Sequence, residues 1–157
     1  MRVRGVCTTR RCVLVLGIVA AAAGANAVGE KPTKEYAGAM RTLEAAARGL
    51  AEALDARDHA TMNEHVIDAR PAIEVVQSYW RERDAAGTDD VEAAVDAIAA
   101  VSKSVSEISV AVHLMTLSPN PVAVDGAELA LGNMRAACAA CHAAHRVEQP
   151  DGSYLIR

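Results

Sequence analysis

The sequence predicts an all-α protein, an antiparallel four-helix bundle, and three observations carry that reading. The 157 residues are Ala-rich, with no Phe, one Trp and three Tyr, a composition that suits close-packed helices better than a sheet. Apolar residues recur at three- and four-residue intervals in four segments. Short stretches of turn residues separate those segments, with no alternation of strand and helix patterns, no repeat and no phosphate-binding loop.

Residues 1–27 precede the first segment and read as an export signal. Arg2, Arg4, Arg10 and Arg11 form a basic start, 13–23 an apolar run, and Ala25-Asn26-Ala27 a small-x-small cleavage site. The run is shorter than the roughly 20 residues that span a bilayer. Cleavage near Ala27 removes Cys7 and Cys12 and leaves a single domain, 28–157, with two cysteines, expected in the periplasm. The domain keeps 12 of the 16 Lys and Arg and all 20 Asp and Glu, so its net charge moves from −4 to about −8. That balance argues against nucleic acid and points to soluble, exported partners with a basic patch.

The first helix is expected over 33–56, behind Pro32, with its seam at Met40, Leu43, Ala47, Leu50 and Leu54. The second runs over 58–84 through Met62, Val66, Ile73, Val76 and Trp80, with Pro71 expected to kink or split it. A turn at 85–88 leads to Asp89 or Asp90 as cap of the third, which continues to Leu117 through Val91, Val95, Ile98, Val105, Ile108, Val112 and Met115. Pro119 and Pro121 break the chain, with Asn120 as the cap of the fourth helix. That helix runs to Arg146 through Val124, Ala127, Leu131, Met134, Cys138 and Cys141. The tail 149–154 carries a turn signal and is expected to fold back as a short extended arm.

The chemistry concentrates in Cys138-Ala139-Ala140-Cys141-His142. In C-x-x-C-H two thiols can add across the two vinyl groups of a haem while the adjacent imidazole reaches the iron. On a helix the cysteines, three apart, share a face, and His142 is turned by about 100°. A zinc site would need two more ligands at suitable spacing, and a redox dithiol would need an alternating strand and helix context. The expected cofactor is one covalently bound haem c.

In an up-and-down bundle the end of the fourth helix lies beside the start of the first, the end of the second and the start of the third. His142 is roughly 6 Å from its helix end and Met40 roughly 10 Å into the first helix, at 1.5 Å per residue. Met40 is therefore the expected sixth ligand. His59, Met62, His65, His113 and Met115 fall at the far end, and Met134 and His145 share a helix with His142. If Met40 only fills a gap, Leu43 stands above an open iron. Tyr36, Trp80, Val91 and Val95 are candidate walls, and Arg146, Arg41 and Lys34 candidates for the propionates.

Cys-Ala-Ala-Cys-His followed four residues later by Arg146, Lys31-Pro32 before the first helix and a Trp late in the second resemble the class II cytochromes c, the group of cytochrome c prime and its low-spin relatives. Met40-Arg41-Thr42-Leu43 also resembles the start of the related four-helix b-type cytochrome, whose methionine ligates iron. The resemblance implies a proximal His142, thioether anchors at Cys138 and Cys141, and Arg146 at the haem edge; relatives often pair through the first two helices, which makes a homodimer an expectation. His145 departs from the pattern, which places an aromatic residue there, and Pro71 and the tail are atypical. Two functions follow: electron transfer through a low-spin His142/Met40 haem, or binding of nitric oxide or carbon monoxide at a five-coordinate haem beneath Leu43. No distal acid-base group suggests an enzyme, and no stable membrane insertion is expected.

Overall fold

The computed structural model describes residues 29–87 and 91–157. The expected export signal, the start at Val28 and the expected Asp89 or Asp90 cap lie outside the described residues. Four helices fill most of the rest: α1 (Lys34–Ala56), α2 (His59–Ala85), α3 (Glu92–Leu117) and α4 (Pro121–His145).

The ends follow from side-chain chemistry. Orphan N–H groups of a first turn need acceptors, and Thr33 Oγ1 accepts from Tyr36 N at 3.1 Å, Asp58 Oδ1 from Thr61 N at 3.0 Å, and Asn120 Oδ1 from Ala123 N at 3.1 Å. Pro121 then starts α4 where its missing N–H costs nothing. At the other end of α1, Arg57 takes the left-handed conformation (φ 57°) and its N–H returns to Leu54 O.

Pro71 neither splits nor ends α2, which is one helix from His59 to Ala85. The proline is exposed, so the carbonyl that loses its partner is on the wet side, where water replaces the missing bond.

The expected seams form the core, with Leu50, Met62, Val66, Trp80, Val105, Ile108 and Met134 almost fully enclosed. Tyr36 in the first turn of α1 accepts a hydrogen bond from Trp80 Nε1, two turns from the end of α2, at 3.3 Å, which fixes the pair as antiparallel. Two-residue and three-residue connections do the same for α1 with α2 and α3 with α4. Packing is closest within α1/α2 and α3/α4 and thinnest between α1 and α4. Val95, expected in the seam of α3, is instead 38 % exposed. No described helix is long and apolar enough to cross a membrane.

After α4 the chain makes a small antiparallel hairpin, β1 (Arg146–Glu148) with β2 (Tyr154–Ile156), paired Arg146 with Ile156 and Glu148 with Tyr154. Gly152 (φ 81°) takes the left-handed turn position. The fourth helix thus ends one residue before the expected Arg146, which is the first strand residue. Ile156 also pairs with Glu30, exchanging two backbone hydrogen bonds of 2.8 Å, and so ties the tail to the segment before α1.

Gly49 shows how closely α1 meets α2: a Cβ there would overlap the His65 ring. Gly49→Ala should therefore destabilise, by about 1–3 kcal/mol of overpacking. In a His65→Ala background the sign should reverse, to a gain of about 0.5–1 kcal/mol from helix propensity. Urea unfolding of the four chains tests this; equal effects in both backgrounds would refute the packing account.

Candidate haem site

Where α1 and α4 separate, the bundle holds a cavity of about 640 Å³, within the range of about 300–1,000 Å³ usual for ligand and cofactor sites. α4 contributes Cys138, Cys141, His142 and His145 to one wall, and α1 contributes Met40, Leu43 and Ala47 to the facing one. Tyr36 and Trp80 close the inner end, and Arg146, Gly152, Tyr154 and Ile156 of the hairpin form a side.

Helical spacing explains this. On α1 Ala39, Leu43, Ala46 and Leu50 are buried, whereas Met40 and Ala47, one step around the helix, are half-buried and face the cavity. On α4 the stripe Ala127, Leu131, Met134 is buried and its continuation, Cys138 and Cys141, emerges half-buried into the same space. The apolar stripe runs on past the point where protein covers it.

All eight principal candidates meet here: Tyr36, Met40, Leu43, Trp80, Cys138, Cys141, His142 and Arg146 line one cavity. Arg41 does too. Lys34, Val91 and Val95 do not, which corrects the expectation for those three. The cavity lies between α1 and α4 while Val91 and Val95 lie at the start of α3, and Trp80 stands between: it lines both the cavity and a second hollow of about 220 Å³ that Val95 borders. The far-end candidates His59, Met62, His65, His113 and Met115, and Met134 of α4, do not line the cavity.

The aromatic residues gather at this end. Tyr36 and Tyr79 rings are 4.3 Å apart, Tyr79 meets Trp80 edge-on at 5.4 Å, and the ring of His145 lies 4.8 Å from Trp80. His145, 4 % exposed, occupies a core position among aromatic rings. Its Nδ1 lies 3.3 Å from the Arg157 carbonyl, while Nε2 is enclosed without a partner. Arg157 also closes the end of α4: its N–H donates to His145 O at 3.0 Å and its guanidinium to the carbonyls of Ala144, at 2.5 Å, and Ala143. Those are the orphan acceptors that a helix C-terminus leaves. Tyr79 donates to Glu30 at 2.5 Å, and Arg83, ion-paired to the same carboxylate, lies over the Tyr79 and Trp80 rings.

Burial shapes the titration of the motif. The Cys141 thiol is pushed up to about 11, first by desolvation and then by Cys138, and Cys138 is raised by desolvation too. The His142 imidazole is lowered from its ordinary value, first by burial and then by the positive Arg146. It is thus held neutral with a lone pair to offer, the form in which histidine binds metal. Tyr36 is pushed up to about 12, mainly by burial, and stays a phenol.

These residues fit a haem. The cavity offers apolar walls, two neutral thiols three positions apart, a neutral imidazole and a facing thioether. Among the described residues no three or more His, Cys, Asp or Glu side chains converge as a metal cage, an arrangement unlike a zinc site. No protein-family model, no curated protein and no solved structure matches this chain.

Helical spacing could have placed Arg48 and Arg135 in the lining, one turn from Glu44 and Cys138. The hairpin's share was out of reach, because its pairing with Glu30 has no local signature.

Raising the Cys141 value from the ordinary 9.0 to about 11 lowers its thiolate fraction at neutral pH about a hundredfold. In the chain with both thiols free, alkylation by iodoacetamide at pH 7.5 should be at least tenfold slower than in urea, and should climb until about pH 11. A native rate equal to the denatured one would refute the burial of the motif.

Proposed function

We propose that this chain is an exported c-type cytochrome of the class II kind, carrying electrons through a covalently bound, low-spin haem. The observation that supports this best is the meeting of Cys138, Cys141 and His142 on one wall of a single cavity with Met40 on the facing wall.

Cys138 and Cys141 would anchor the group through thioethers, from half-buried positions on a helix end that Arg157 holds in place. His142 would present its neutral imidazole, and Met40 its thioether from α1. A haem held there would supply a one-electron couple at iron, and ligation by both a thioether and an imidazole would favour the ferrous state and raise the potential. Tyr36, Trp80 and Leu43 exclude water from the inner end, which strengthens electrostatic interactions within the site. Arg146, ion-paired to Glu148 at 2.6 Å and lying 4.5 Å over the Tyr154 ring, would set positive charge at the edge.

The carbon monoxide or nitric oxide reading rests on Leu43, which is buried and lines the same cavity. Visible spectra of the purified protein separate the two. With Met40 as ligand, the ferric form should show the weak far-red band of a sulfur–iron bond and the ferrous form sharp, split bands. Met40→Ala should abolish the ferric band and lower the midpoint potential by on the order of 0.1 V, within the ~0.8 V that axial ligands span. Broad high-spin bands unchanged in Met40→Ala, with uptake of carbon monoxide, would favour the gas-binding reading instead. Loss of covalent haem in Cys138→Ala/Cys141→Ala tests the attachment itself.

A further inference from the structure

The sign of the charge around the cavity is opposite to that of the chain. The molecule carries −4 overall, yet the cavity is lined by four guanidiniums, Arg41, Arg48, Arg135 and Arg146, against one carboxylate, Glu44. Arg146 is paired with Glu148. The other three are exposed, and among the described residues none has an acidic partner within 4.0 Å.

Their placement is ordered by the helices. Arg41 and Arg48 are seven residues apart on α1, nearly in line and separated by roughly 10 Å along the axis. Arg135 stands on α4, one turn before Cys138, on the other side of the opening. The nearby Asp151 carboxylate, at the hairpin turn, accepts from Ser153 N at 2.9 Å and from Ser153 Oγ at 2.6 Å.

We infer that the mouth of the cavity is a docking surface for an acidic face of a partner protein. The partner is an electron donor or acceptor if the cavity is the haem site, and that clause rests on the function proposed above; the docking rests on charge alone. Physical scale decides between the local and the global sign. At physiological ionic strength charges are screened over about 8 Å, so a partner at the mouth meets the three arginines while most of the acidic surface lies beyond reach. With Arg146 balanced by Glu148, the three other arginines against Glu44 leave the mouth at about +2, which two carboxylates of a bound cofactor would bring to about zero; the three exposed guanidiniums would still meet a partner as discrete positive charges. The patch is small, as in transient redox encounters rather than permanent complexes, and its charge would act on association rate and orientation.

The test titrates the purified holoprotein, with ¹⁵N in its arginine side chains, with deca-glutamate and separately with deca-lysine. At about 20 mM salt, deca-glutamate should shift the Nε–Hε signals of Arg41, Arg48 and Arg135 ahead of those of Arg57, Arg70 and Arg81. Affinity should fall at least tenfold in Arg41→Gln/Arg48→Gln/Arg135→Gln, whose exposed positions leave the circular dichroism unchanged, and tenfold again at about 200 mM salt. Silence of these three signals, equal shifts at all arginines, or unchanged affinity in the triple variant would overturn the docking surface, as would tighter binding of deca-lysine at the mouth. The visible spectrum of the same sample is read separately. Arginine shifts without a c-type haem spectrum would sink the cytochrome and keep the docking; a haem spectrum with silent arginines would do the reverse.

Discussion

The packing of Trp80 governs the geometry of the cavity end. The indole is 1 % exposed, donates to Tyr36 on α1, packs at a tilt against the His145 ring of α4 and takes the cation of Arg83 over its face. A side chain of that size, two turns from the end of α2 and in contact with Tyr36 of α1 and His145 of α4, stands between those two helices at this end. The space between them is the cavity. The enclosed indole N–H needs an acceptor, and the phenol of Tyr36 supplies it; burial, against the opposing pull of that hydrogen bond, keeps the phenol protonated and the inner end of the cavity free of charge.

Much of this was legible in the sequence, and the parts that were not share a cause. The four helices, the cap at Asn120, and the gathering of Met40, Trp80 and the Cys-x-x-Cys-His motif follow from periodicity, turn chemistry and the arithmetic of an up-and-down bundle, whereas Thr33 and Asp58, read as first helical residues, are caps. Periodicity says which face of a helix is apolar but not which neighbour covers it, and Val95 and Val91 were misplaced for that reason. Pro71 was read from its lost hydrogen bond without knowing that it faces water. The turn and fold-back of the tail were read from 149–154, as the hairpin bears out, but where the arm docks was not, because its partner Glu30 lies outside any local pattern, and so its lining residues Tyr154 and Ile156 were missed.

Net charge is a similar case of a global quantity giving way to local arrangement. The acidic composition suggests partners with a basic patch, yet the arginines are not spread evenly. Arg41 and Arg48 come to the mouth through helical repeat and Arg135 through the same face of α4 that presents Cys138. The pattern that builds the lining also builds the charge around it, so the sign of the surface at the site could be read only once the faces were known.

The pairing of Glu30 with Ile156 joins positions 126 residues apart. Closing so long a loop carries the largest entropic penalty of the described strand pairings, a penalty that is smaller once the helices have met. The hairpin that this pairing holds forms the side of the cavity from which the two thiols on α4 would otherwise be reachable. The contact that closes the two ends of the described chain on one another thus also guards the motif, since the hairpin it holds stands beside the two sulfurs.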